Sequence, residues 1–139
     1  MRIFDCTTFY NENFILDIRF NILNPYVDKF IVCESGYSHS GKKKIFNFDI
    51  NKFKKFKDKI IYLKIDQEPD DLKYHYKNGE KIEKVENART NAIKRIAYQR
   101  NVLKDGIINA SDDDLIIYSD NDEIPNLEKF EIDTIKNEL

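Results

Sequence analysis

Phe30-Ile31-Val32-Cys33 is a run of four apolar residues inside the stretch 27–34, with no polar residue to mark a solvent face. A strand that alternates in and out would show a polar residue at every second position. A strand covered on both faces would not, and that is the condition of a parallel sheet with helices above and below. Working outward, residues 11–23 carry Ile15, Ile18 and Ile22 at helical spacing, and Asn24-Pro25 stops that helix. Residues 2–8 read as a strand before it. After the central run come a loop over 35–44 containing Gly36 and Gly41, a short helix over 51–57 showing Phe53 and Phe56, and a strand over 60–65. Residues 66–86 are polar, contain Pro69 and Gly79, and read as a long, mobile loop. A helix over 87–104 ends near Gly106, a strand spans 115–119, and a last helical piece starts about Leu127. The order β-α-β-α-β-α-β predicts an α/β fold with a parallel sheet, which right-handed crossovers make consistent. Ligands of such sheets gather beyond the carboxyl ends of the strands. Here those ends are the segments 7–12, 34–44 and 120–123.

Composition agrees. The 139 residues suit a single domain spanning 1–139, and 41% apolar with 35% charged residues suit a packed core under a solvated surface. The net charge of −2 argues against a nucleic-acid binder, although lysines cluster at 42–44 and 52–59. No run approaches the roughly 18 apolar residues of a membrane span. Nor does an apolar signal-peptide core follow Met1-Arg2, so a cytoplasmic location is expected. Cys6 and Cys33 sit in apolar surroundings and read as buried thiols of a reducing compartment; zinc would lack ligands at any recognisable spacing.

The strand Leu115-Ile116-Ile117-Tyr118-Ser119 runs straight into Asp120-Asn121-Asp122-Glu123-Ile124-Pro125. Carboxylates gathered at the exposed end of a buried strand repel one another unless a cation offsets them. Asp120 and Asp122 can face one hard divalent ion, Mg²⁺ or Mn²⁺, which takes one or two carboxylates and completes its shell with substrate phosphates. An EF-hand is excluded because Ile124 and Pro125 stand where it needs an oxygen ligand and a glycine. A phosphohydrolase of the haloacid dehalogenase type would use Asp120 as nucleophile, but Ile124 matches its pattern loosely and little sequence follows. On the helix over 87–104, Ile93, Ile96 and Leu103 share a face with Arg100. A charge on an apolar stripe calls for a partner: a carboxylate of the acidic turn, or a ligand phosphate.

These segments together resemble glycosyltransferase family 17, the β-1,4-mannosyl-glycoprotein β-1,4-N-acetylglucosaminyltransferases. Residues 3–12, Ile3-Phe4-Asp5-Cys6-Thr7-Thr8-Phe9-Tyr10-Asn11-Glu12, resemble the family's opening strand and Asn-Glu turn. Ile18-Arg19 and Val27-Asp28-Lys29-Phe30-Ile31-Val32-Cys33-Glu34-Ser35 resemble its second-strand signature, and Gly41-Lys42 its glycine-containing loop. Tyr98-Gln99-Arg100-Asn101 resembles its helix motif. Asp113-Asp114 with Ser119 through Pro125 resembles its acidic signature, Asn121 filling the variable middle position.

The resemblance implies a GT-A-like fold, a Rossmann-like parallel sheet with flanking helices. It implies UDP-GlcNAc as donor with Mn²⁺ or Mg²⁺ as cofactor, and inverting transfer of N-acetylglucosamine to a glycan hydroxyl. Asp120 and Asp122 then hold the metal, with Asp122 and Glu123 the candidate catalytic carboxylates. Thr7, Thr8, Phe9, Glu12 and Glu34 line the uridine and ribose, Asn121 joins the donor site, and Lys42 and Arg100 meet the diphosphate. In the family the acceptor half follows the acidic signature. The chain is therefore expected to be either truncated after it or a naturally short relative, a donor-binding part that a partner chain or an oligomer would complete. A non-catalytic nucleotide-sugar-binding module is the alternative.

Overall fold

The computed structural model describes residues 1–130. The elements are β1 (Ile3–Phe9), α1 (Asn13–Leu23), β2 (Lys29–Ser35), a 3-10 segment (Ile50–Lys59), β3 (Ile60–Ile65), β4 (His75–Lys77), β5 (Glu80–Ile82), α2 (Val85–Val102), a 3-10 turn (Leu103–Ile107), β6 (Leu115–Tyr118) and a 3-10 turn (Leu127–Lys129). The helical piece expected from Leu127 is this short turn as far as residue 130; its remainder lies outside the described residues.

Four strands pair in the order β3-β2-β1-β6, all parallel. β2 is the apolar run, and Phe30, Ile31, Val32 and Cys33 are fully buried. Alternate residues serve opposite layers. Phe30 and Val32 join Phe9, Leu16, Phe20, Leu23, Phe53 and Phe56 under α1 and the 3-10 segment. Ile31 and Cys33 join Phe4, Cys6, Ile65 and Leu103 on the α2 side. The first layer centres on Phe20, whose ring lies 4.4 Å from Phe30, 5.3 Å from Phe53 and 5.5 Å from Phe56, centroid to centroid. In the second, Gly106 lets the turn after α2 press on β2: a Cβ there would lie 2.2 Å from Ile31 Cγ2.

Both long helices bury a different face from the one their isoleucines predict. On α1 the buried residues are Leu16, Arg19, Phe20 and Leu23, while Ile15 and Ile18 are half-buried and Ile22 is exposed. The aromatic cluster selects Phe20, and Arg19 is tolerated because Asp5 of β1 faces it. On α2 the buried residues are Asn91, Arg95 and Gln99, and Ile93 is exposed. Polar partners explain this. Gln99 donates to the Cys33 carbonyl at 2.8 Å, and Asn91 exchanges hydrogen bonds with the backbone of Lys73, both at 2.8 Å.

The segment expected to be a mobile loop is tied down. It contains the antiparallel hairpin β4–β5, closed by Asn78 and Gly79, both at positive φ. An Asn-Gly pair favours such a turn because both residues tolerate that conformation. Arg95 clamps the hairpin region to α2 by donating to Glu68 (2.8 Å), the Tyr74 hydroxyl (2.7 Å) and Glu83 (3.2 Å). Burial alone would raise the Glu68 carboxyl; hydrogen bonds from Arg95 and Tyr74 outweigh it and hold that group below its ordinary value.

Arg19 and Asp5 form an ion pair with no solvent exposure, Nε to Oδ2 at 2.8 Å and Nη2 to Oδ1 at 2.7 Å. Removing one member strands the other charge in the interior. Arg19→Leu is therefore expected to lower unfolding free energy by about 3–5 kcal/mol in urea denaturation. The two cysteines are free and buried, and desolvation pushes both thiols up to about 12. A thiol that titrates higher folded than unfolded stabilises the fold below its unfolded value and loses that contribution as pH rises towards 12. At pH 8 a disulfide-exchange reagent should leave both thiols unlabelled in the native protein and label both once it is unfolded.

Candidate functional site

The chain moves outward from β1 through β2 to β3, then returns to add β6 on the other side of β1. The order therefore reverses between β1 and β6, and a sheet opens a crevice at such a point, beyond its carboxyl ends. A cavity of about 540 Å³ lies there. Thr8, Phe9 and Tyr10 from the end of β1 line it, with Glu12 and Ile15 from the start of α1. Ser35, Tyr37 and His39 come from the end of β2 and its loop, Ile96, Gln99 and Arg100 from α2, and Asp120, Asn121 and Asp122 from the turn after β6. All three strand-end segments that the sequence singles out meet here.

The acidic turn is held from beneath by Arg19. Besides Asp5, its guanidinium donates to the carbonyls of Asp120 (2.9 Å), Glu123 (3.2 Å) and Asn121 (3.4 Å), and to Ser119 Oγ at 2.7 Å. Ser119 Oγ donates onward to the Glu123 carbonyl at 2.7 Å, and the Glu123 amide donates to the Asp120 carbonyl at 2.9 Å. With three carbonyls gathered on one buried cation, the carboxylates of Asp120 and Asp122 are left on the cavity side. Between them Asn121 is only 7% exposed, and neither its amide nitrogen nor its amide oxygen has a hydrogen-bond partner. An unsatisfied buried amide is costly and points to a rearrangement or a ligand that would satisfy it.

Arg100 reaches the turn, as its place on the helix suggests. Its Nη2 lies 3.3 Å from Asp120 Oδ1, and both side chains are about half exposed, at 46% and 51%. The Tyr118 hydroxyl donates to the same oxygen at 3.3 Å, and the Arg100 guanidinium lies 5.4 Å from the Tyr118 ring centre. Burial raises the Tyr118 phenol, with the neighbouring Arg100 opposing. Arg100 is thus a half-exposed cavity residue rather than part of a buried apolar stripe.

Other expected site residues stand elsewhere. Thr7 is buried on the opposite side of β1 from Thr8, and its hydroxyl donates to the Ser119 carbonyl at 3.1 Å. Glu34 is fully buried and already holds four donors: Lys44 Nζ, the amides of Asn47 (2.7 Å) and Phe48 (3.0 Å), and the Tyr62 hydroxyl (2.7 Å). It shapes the loop after β2 rather than the cavity wall. Lys42 is exposed outside the cavity, because the tight turn at Gly41 carries it away and Lys44 turns inward instead. Glu12 lines the cavity, but its carboxylate accepts the amides of Tyr10 (3.0 Å) and Asn11 (3.1 Å). Glu123 does not line it; its Oε2 accepts the Asp120 amide at 3.3 Å and braces the turn. Arg19, Tyr37, His39 and Gln99 are the additions. An arginine amid the apolar residues of α1 was the one available signal for Arg19.

Asp120 and Asp122 both line the cavity, and their carboxylates could hold a divalent cation. Among the described residues no group of three or more His, Cys, Asp or Glu gathers into a self-sufficient metal cage. Two carboxylates at the cavity wall would suit an ion that draws its remaining ligands from phosphate and water. No helix among the described residues is long and apolar enough to cross a membrane.

No curated protein and no solved structure matched the chain on comparison. The family model of glycosyltransferase family 17 matches residues 1–137, nearly the whole sequence, and the chain belongs to that family.

Proposed function

We propose that the cavity binds the nucleotide end of a sugar donor, and that the chain is the donor-binding part of a metal-dependent inverting transferase acting on UDP-GlcNAc. Membership of the family supports glycosyl transfer as the reaction, with a nucleotide sugar and a glycan as partners. A parallel four-stranded sheet with flanking helices is consistent with a GT-A-like domain. The observation that carries the finer reading is the acidic turn. Asp120 and Asp122 flank the unpartnered Asn121 amide at the wall of a switch-point cavity, with Arg100 alongside.

Asp120 and Asp122 would hold Mn²⁺ or Mg²⁺, which when bound offsets the negative charge of a departing diphosphate. The chain's own residues do the rest of the binding. Arg19 fixes the turn, so that the carboxylates need not reorganise when the ligand arrives. Arg100 offers a forked cation to phosphate oxygens. Glu123 acts as a positioning residue through the Asp120 amide. In the transfer, the acceptor hydroxyl oxygen forms a bond to the anomeric carbon and gives up its proton to a carboxylate acting as general base. The bond from that carbon to the diphosphate breaks, and UDP leaves from the opposite face.

The test is a calorimetric titration of UDP-GlcNAc with and without Mn²⁺, on the wild type and on Asp122→Asn. The expected outcome is binding that requires the metal and weakens by roughly tenfold or more in the variant, as for loss of a charged contact. Asp122 is exposed, so the variant should melt at the wild-type temperature. Failure of the wild type to bind in either condition would reject the donor-site reading. Release of UDP that depends on an added glycan acceptor would establish transfer.

A further inference from the structure

The two carboxylates at the cavity are not equivalent, because Asp120 already has a cation of its own. Arg100 Nη2 and the Tyr118 hydroxyl both meet Asp120 Oδ1, each at 3.3 Å. That oxygen, on the side chain facing the cavity, would otherwise be free for a metal ion. The pair is built to be broken. Both partners are about half exposed, the contact is single rather than a two-toothed fork, and exposed ion pairs of this kind contribute little. The contrast with Arg19 is sharp, since that guanidinium spreads over six acceptor atoms at zero exposure.

Resting on the donor-site reading above, we propose that Arg100 is an exchangeable counter-ion. With no ligand it neutralises Asp120; a divalent cation displaces it, and the freed guanidinium turns to the phosphates that the cation brings. Three observations support the exchange. Arg100 and Asp120 line the same cavity, so a short side-chain movement suffices. The Tyr118 ring 5.4 Å from the guanidinium gives it a surface to slide over without losing all stabilisation. The Asn121 amide, buried between the two acids with no hydrogen-bond partner, leaves donors and an acceptor open to a polar ligand that arrives at the turn. The device gives the protein a reason to favour metal and nucleotide together. The cation alone meets the positive charge of Arg100 beside Asp120, whereas cation plus diphosphate gives Arg100 a new partner. Linkage then requires that each ligand improve the binding of the other.

The consequence is a pair of opposite effects from one substitution. Arg100→Gln should bind Mn²⁺ alone about two- to fivefold more tightly than the wild type, the size expected for removing an exposed competing ion pair. At saturating Mn²⁺ the same variant should bind UDP roughly tenfold or more weakly, having lost a charged phosphate contact. Arg100→Lys should bind Mn²⁺ alone like the wild type, since it keeps the competing charge. Mn²⁺ is followed by electron paramagnetic resonance of the free ion and UDP by calorimetry; a thermal melt establishes that both variants are folded. If the wild type binds both ligands and Arg100→Gln leaves its Mn²⁺ affinity unchanged or lowers it, the counter-ion proposal is overturned while the donor-site reading stands. If the wild type binds neither Mn²⁺ nor UDP, the donor-site reading itself falls, and the exchange falls with it.

Discussion

A guanidinium sealed in a protein interior is tolerated only when nearly every one of its donors is used. Arg19 meets that condition by collecting acceptors from parts of the chain more than a hundred residues apart: Asp5 on β1, and Ser119 to Glu123 after β6. Its three nitrogens are all engaged, and three backbone carbonyls of the turn converge on one of them. β6 has only four residues and, among the described residues, pairs with β1 alone. A strand so short gives the turn beyond it little direction. The carbonyls bound to Arg19 supply the missing constraint, and Thr7 adds another through the Ser119 carbonyl. The geometry of the acidic turn is thus set from α1, through one charged group that touches no solvent.

The fold could be read from residues 30–33 because unbroken apolarity has few other meanings beside alternating helices. The strand over 60–65 came out at its observed limits from its mostly apolar, β-favouring residues. Helix faces were less legible. Isoleucine spacing predicts the buried side of a helix only when nothing else competes for that side, and on α1 an aromatic cluster selects Leu16, Phe20 and Leu23 instead. On α2 the buried side chains answer the carbonyl of Cys33 and the backbone near Lys73, whose positions depend on distant segments. The hairpin was written locally, in Asn78-Gly79, but three-residue strands with every residue exposed leave no periodicity to notice.

The site was legible by segment more than by residue. Each strand end identified from the sequence reaches the cavity, because in a parallel sheet all carboxyl ends lie on one edge. Which side chain of a segment faces inward is a finer matter. Thr7 and Thr8 are adjacent and chemically alike, yet strand alternation puts one in the interior and the other at the cavity. Glu34 looks like a ligand-binding acid in the sequence, but two backbone amides, a tyrosine and a lysine claim it. Its exclusion followed from how residues 44–48 fold back, which no local pattern announces.

Taken together, the charged residues divide by depth, and depth assigns their work. Arg19, Asp5, Glu34 and Arg95 are buried and multiply bonded; moving any of them would leave an uncompensated polar group in the interior, so they can hold shape but cannot respond. Arg100, Asp120 and Asp122 sit at the cavity with solvent access, where changing partners costs little. A ligand carrying several negative charges, together with the cation that accompanies it, must displace existing contacts on arrival and restore them on departure. It can do so reversibly only where the resident pairs are weak, and it can do so selectively only where their positions are rigidly set. The turn after β6 satisfies both demands at once: its backbone is clamped by an arginine in a fully buried ion pair, and its Asp120 side chain is held by a half-exposed one.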